Sequence, residues 1–131
     1  MSSHSSFSDS GYQVWQSFFD KSLCQRLVTH AHALVERYRQ SEGNAVFTTD
    51  ESVRMDDRSF IESGRSIRCF FEPEHADSDS TLVCNKIGHA LHSLDPFFQE
   101  LARMPDWLEI TDALGLKNPV IIQSMVIFKA E

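Results

Sequence analysis

"NPVIIQSMVIFKAE", residues 118–131, is the stretch on which the reading of this fold turns. Taken as extended chain, it puts Ile121, Gln123, Met125 and Ile127 on one face and Ile122, Ser124, Val126 and Phe128 on the other. Both faces are largely apolar, so the pattern predicts a central strand covered on two sides. Burying one Ile or Val stabilises a fold by about 1.5–3 kcal/mol. Leaving several uncovered would cost an amount comparable with the whole net stability of a domain. An uncovered edge of this composition also invites pairing with another chain. Only two other short strand candidates stand beside it, near residues 12–18 and 66–71, which is a thin sheet for so apolar a member. The pattern fits either a small three-stranded α+β domain with helices on both faces or one wall of a larger sheet.

Working back from that strand, residues 1–10 carry six serines and little to bury, and are expected to form a flexible arm. The folded part is expected over 11–131. "GYQVWQSFF", residues 11–19, is rich in aromatic and β-favouring side chains and predicts a short strand. Asp20 then serves as an N-cap. Leu23, Leu27, Ala31, Leu34 and Tyr38 recur at intervals of three and four, which predicts an amphipathic helix to about Gln40. Residues 41–64 and the run "EPEHADSDS", residues 72–80, are polar and read as long loops, with "SIRCFFE", residues 66–72, as a strand between them. Ile87, Leu91 and Leu94 at helical spacing predict a helix through "NKIGHALH". Asp95 followed by Pro96 marks a second helix start, and Met104-Pro105 a break. Gly115 is placed to close a last helix, "DWLEITDAL".

Composition excludes several functions. A formal net charge of -7 is wrong for neutralising a phosphate backbone, so nucleic acid is not an expected partner. No apolar run reaches the roughly 18 residues needed to span a bilayer, and no signal-peptide pattern opens the chain. Cys24, Cys69 and Cys84, odd in number and without CxxC spacing, read as buried, reduced thiols of a cytoplasmic protein.

Two groups of residues could carry chemistry. His89 and His92, with Asp95 three residues on, would lie along one side of the predicted helix and superficially resemble metal ligands. No HExxH pattern or Cys partner accompanies them, and Asp95 is better explained as a cap, so surface or half-buried histidines are the expectation. His30 and His32 point to different sides of their helix. No GxSxG motif, Gly-rich phosphate loop or Cys-His nucleophile pattern is present. The second group is Gln123 and Lys86. A buried Gln123 amide beside Met125 would need polar partners. Lys86, in the first turn of the predicted helix, would work against the helix dipole. It is either solvated or aimed at a cavity where it would meet a dicarboxylate.

"SIRCFFE", "NKIGHALHSLDPFF" and "LGLKNPVIIQSMVIFK" resemble blocks of the phytanoyl-CoA dioxygenase family, in particular its domain-containing proteins, and "FSDSGYQVWQSFFDKSLCQRL" is similar to that family's opening. The resemblance runs over most of residues 7–129. It implies an α+β chain made of the N-terminal helices and first strands of a double-stranded β-helix, the jelly-roll or cupin-like fold of an oxygenase that uses iron(II) and 2-oxoglutarate to hydroxylate a small-molecule or acyl-CoA-type substrate. It also implies that Lys86 and Met125 lie beside the 2-oxoglutarate site, with Gln123 as a neighbour. The family's His-X-Asp iron motif, its distal histidine and its carboxylate-gripping arginine all follow the strand at 120–128 and are not among these residues. The expectation is therefore the front part of a larger enzyme, cut before its iron site, with no catalytic or metal-binding residues of its own, inactive and cofactor-free alone. The alternative is a non-catalytic module that pairs with a partner, or with itself, through its last strand.

Overall fold

The computed structural model describes residues 5–42, 64–73 and 82–129. Among these it is a small α+β arrangement with three antiparallel strands in the order β1-β2-β3. Helix α1 spans Ser5–Ser10, within the stretch expected to be an arm, and α2 spans Lys21–Glu42. Strands β1, Arg68–Pro73, and β2, Leu82–Gly88, are followed by three short helices: α3, Leu91–Leu94; α4, Pro96–Ala102; and α5, Asp106–Ala113. Strand β3 is Val126–Ile127. The polar stretches read as loops fall largely outside the described residues, at 43–63 and 74–81.

Helix α2 starts where its cap requires. Asp20 Oδ1 accepts the Leu23 N–H at 2.7 Å and the Ser22 hydroxyl at 2.8 Å, and these bonds hold the Asp20 carboxyl below its ordinary 3.8. The predicted apolar stripe is the buried one: Ala31, Leu34, Val35 and Tyr38 lie in the core, with Leu27 packed against it. At the far end Arg39 suits the negative pole of the helix. Its Nη2 donates to Leu82 O at 2.9 Å, and its guanidinium carbon sits 5.0 Å from the Phe71 ring centroid.

The β1–β2 ladder supplies the other half of the core. Phe71 and Ile87 are wholly sealed from solvent, and Cys69 nearly so. Register shifts by one residue between Phe70 and Phe71: Phe70 faces Lys86, whereas Phe71 faces Cys84. Such a bulge turns the strand locally without losing the ladder.

Three expectations are corrected. Residues 82–88 form a strand, not the start of a helix, so the helix-dipole argument about Lys86 falls away. Ile87 and Leu91 do have helical spacing, but Leu82, Val83 and Cys84 pair with β1, and Gly88 is a poor residue inside a helix. Residues 11–19 are irregular rather than a strand. Their aromatic content serves packing: Phe18 and Phe19 contact Trp107, with ring centroids 5.1 and 5.6 Å away. Residues 120–128 do not form a central strand. Val126–Ile127 pair with β2, Ser124 makes an isolated bridge to Ala90, and Val120 is 80% and Ile122 90% exposed.

The predicted caps hold. Asp95 Oδ1 accepts the Phe98 N–H at 3.1 Å with Pro96 in the first helical position. It is also buried and clasped by His30, whose Nε2 lies 2.9 Å from Oδ2, so one carboxylate starts α4 and ties it to α2. Gly115, at φ +72°, ends α5: its N–H donates to Asp112 O, and the Leu116 N–H to Thr111 O, each at 2.9 Å. No helix among the described residues is long and apolar enough to cross a membrane. A large-to-small change in the sealed core should be felt at once. Phe71→Ala is expected to lower the unfolding free energy by about 3–5 kcal/mol, whereas Val28→Ala on the open face of α2 should stay within about 0.5 kcal/mol. Urea unfolding followed by circular dichroism would measure both.

Candidate functional site

Side chains alternate across a strand, so fixing one residue inward fixes its neighbour outward. Ile87 packs under α2 and pairs with Val126, which also packs against the core. Lys86 and its partner Ile127 therefore emerge on the opposite face of the sheet. Phe70, facing Lys86 from β1, joins them there. The Lys86 Nζ stands 5.2 Å from the Phe70 ring centroid, close enough for a cation–π attraction. The His89 ring, just past the end of β2, lies 5.4 Å from the same ring.

Lys86, Phe70 and His89 thus form one cluster, each half-buried or buried. Burial first, and the Lys86 charge second, push the His89 imidazole below its ordinary 6.5. The group near pH 7 is an ammonium beside a neutral imidazole on an aromatic floor. A partly desolvated point charge of this kind favours an anionic ligand. Met125 precedes Val126 and so lies, by alternation, on the Lys86 side of the edge strand, where it is exposed. Gln123 is also exposed, but it falls in the irregular run before β3.

The other described histidines are engaged elsewhere. His30 clasps Asp95, the His32 ring lies 5.3 Å from that of Phe128, and His92 is tied to Ser124. Ser124 Oγ accepts the His92 backbone N–H at 2.9 Å and lies 2.7 Å from His92 Nδ1. Together with the Ser124 N–H bond to His89 O at 3.0 Å, this fastens residues 119–125 to the start of α3. His89, His92 and Asp95 therefore face three different partners instead of one ion. Among the described residues no group of three His, Cys, Asp or Glu side chains could hold a metal. An apolar cavity of about 480 Å³ lies beyond Ser124, walled by Phe98, Leu101, Trp107, Leu108, Val120 and Ile121. It shares no residue with the Lys86 cluster.

Sequence reasoning singled out Lys86 and Met125 but missed Phe70 and His89 as neighbours of Lys86. With residues 85–92 read as helix, Phe70 had no cross-strand partner. The available signal was Gly88, which argued against a helix there.

Comparison with known proteins gives a consistent similarity. The chain is 32% identical over 129 residues to a phytanoyl-CoA dioxygenase of Arabidopsis thaliana, covering 94% of this chain and 45% of the relative. It is 35% identical over 134 residues to phytanoyl-CoA dioxygenase domain-containing protein 1 of Danio rerio, covering 94% of this chain and 46% of the relative. It is 32% identical over 129 residues to phytanoyl-CoA dioxygenase 1 of Oryza sativa subsp. japonica, again over 94% of this chain and 45% of the relative. The chain spans about half the length of the curated relatives it matches. No family model and no solved structure matches it.

The His89 environment can be read by titration. Its neutral form is the one the fold favours, so its contribution to stability is complete above the ordinary 6.5 and is lost as pH falls through the lowered value. Imidazole proton resonances should titrate below 6.5 at His89. Lys86→Met should move that midpoint upward but leave it below 6.5, because burial, the larger cause, remains.

Proposed function

We propose that this chain is the N-terminal portion of an iron(II)- and 2-oxoglutarate-dependent dioxygenase of the phytanoyl-CoA dioxygenase family, whose complete form hydroxylates a small organic or acyl-CoA-type substrate on a double-stranded β-helix. One observation carries the reading: similarity at 31–35% identity extends over 94% of the chain to several proteins of that name. The sheet face bearing Lys86 and Met125 supports it. Lys86 would offer its ammonium to a carboxylate of 2-oxoglutarate, and Met125 would pack along the ligand's carbons, with Gln123 as an outer neighbour. Phe70 and His89 would hold the ammonium in position and limit its solvation. Lys86 binds and orients in this scheme; it moves no proton.

Iron and 2-oxoglutarate together supply the oxidising chemistry when bound, and the protein supplies position and a dry pocket. The described residues do not fit an iron site, since no three metal-ligating side chains converge. In this reading the iron ligands belong to the part of the relatives that the chain does not cover. The isolated chain should then form no succinate from 2-oxoglutarate in the presence of iron(II). A chimera in which it replaces the matched segment of the Danio rerio relative should do so, with the intact relative as reference. Lys86→Met in that chimera should raise the KM for 2-oxoglutarate by about tenfold or more, the scale of a lost charge-assisted hydrogen bond. A folded chimera that makes no succinate while the reference does would refute the proposal.

A second reading is favoured by the edge strand. Ile122, Val120 and Ile127 are 90, 80 and 56% exposed beside a two-residue pairing, and among the described residues no strand lies beyond β3. Such an edge can add another strand, and the partner would be a second copy of the chain. Light scattering should then report a dimer that Ile122→Lys returns to monomer. A monomeric wild-type chain would exclude this.

A further inference from the structure

Two thiols on the core side of the β1–β2 ladder take no part in the site described above. Cys69 is sealed from solvent, Cys84 is half-buried, and both are free thiols. They lie on neighbouring paired strands, Cys84 opposite Phe71 and Cys69 opposite Ile87, with the register shift between them. Phe71 and Ile87 are core residues, and both cysteines pack in that same core. The thiols are thus diagonal neighbours on one sheet face, close enough for each to shift the other's ionisation.

We propose that Cys69 and Cys84 form an oxidisable dithiol which hydrogen peroxide closes into a cross-strand disulfide, with Cys84 as the attacking sulfur and Cys69 as the resolving one. The two differ in the way such a pair needs. Cys84 is partly open to an incoming oxidant, whereas Cys69 is sealed from solvent. The neighbouring Cys69 thiol, and to a lesser extent the Arg39 charge, hold the Cys84 thiol below its ordinary 9.0 against the opposing effect of burial. The neighbouring Cys84 and burial push the Cys69 thiol up. Arg39 is fixed in place by its bond to Leu82 O and its position over Phe71. The thiolate is the reactive form, so oxidation should begin at Cys84.

The chemistry balances in two steps. The Cys84 thiolate attacks one peroxide oxygen and the O–O bond breaks, which leaves Cys84 as a sulfenic acid and releases water once the departing hydroxide takes a proton. The Cys69 sulfur then attacks the Cys84 sulfur, the S–O bond breaks, the S–S bond forms, and a second water leaves with the Cys69 proton. The protein loses two protons and two electrons, and the peroxide becomes two waters. The Cys84 thiol, which reaches Lys86 O at 3.5 Å, can no longer donate there.

The test uses the full chain under native conditions. After peroxide and a quench, thiols are alkylated in denaturant and the protein is cut with trypsin. Arg68 and Lys86 bound one tryptic peptide, residues 69–86, that carries both cysteines, while Cys24 falls on the separate peptide 22–26. The expected result is loss of two of the three thiols, with peptide 69–86 lighter by two hydrogens and unalkylated, and recovery by dithiothreitol. In Cys69→Ser the closed form should be absent and Cys84 should proceed to sulfinic acid. The wild-type mapping stands without that variant if it fails to fold. Three results would overturn the proposal: peptide 69–86 doubly alkylated while Cys24 is oxidised, a dominant disulfide involving Cys24, or equal closure in the chain unfolded before oxidation.

Discussion

The packing of Phe71 and Ile87 beneath α2 is the constraint from which the rest of the structure follows. Both side chains are fully removed from water, and they come from paired strands whose ladder can satisfy the backbone groups that such burial strips of solvent. Once they face the helix, alternation decides every neighbouring position. Lys86 and Ile127 must emerge on the other face, and Phe70 meets Lys86 there. A slip of one residue in β2 would carry Ile87 out to solvent and Lys86 into the core. The candidate site is therefore a consequence of the core, held in register by its apolar contacts.

Polar contacts then fasten the surrounding elements at single points. Asp95 works as a cap for α4 and as the partner of His30, and so ties the short helices to α2 across the core. Ser124 plays a similar part for the chain before β3, joined to both the His92 backbone and its ring. Each of these residues has a local role that a sequence pattern can suggest and a distant partner that it cannot. The histidines illustrate the cost of reading spacing alone: His89 and His92 are close in sequence, yet one faces an aromatic ring and the other a serine.

The parts legible in the sequence are those settled within a few residues. Asp20, Asp95 and Gly115 act as the caps expected of them, because a side-chain oxygen or a positive φ needs no distant partner to end or start a helix. The apolar stripe of α2 and the strand over "RCFFE" were equally plain. The misreadings came where two periods compete. Ile87 and Leu91 satisfy a helical interval, and only pairing with β1 made residues 82–88 extended. Tyr12, Val14 and Trp15 have the composition of a strand but no ladder to join, while Phe18 and Phe19 beside them turn their rings to Trp107.

By itself the sequence determined the helix that follows Asp20 to about Gln40 and its N-cap, the apolar character of residues 120–128, the resemblance to the phytanoyl-CoA dioxygenases, and Lys86 and Met125 as residues to watch. These rest on local propensity, on side-chain chemistry and on motifs that lie along the chain. Only the tertiary structure decided that Lys86 stands on a strand with Phe70 and His89 around it, that Cys69 and Cys84 meet across a bulge, and that the last strand lies at an edge with its apolar residues open. The physical reason is that each of these depends on which strand pairs with which, and in what register. That choice is made by burial summed over residues far apart in the chain, and no local pattern records it.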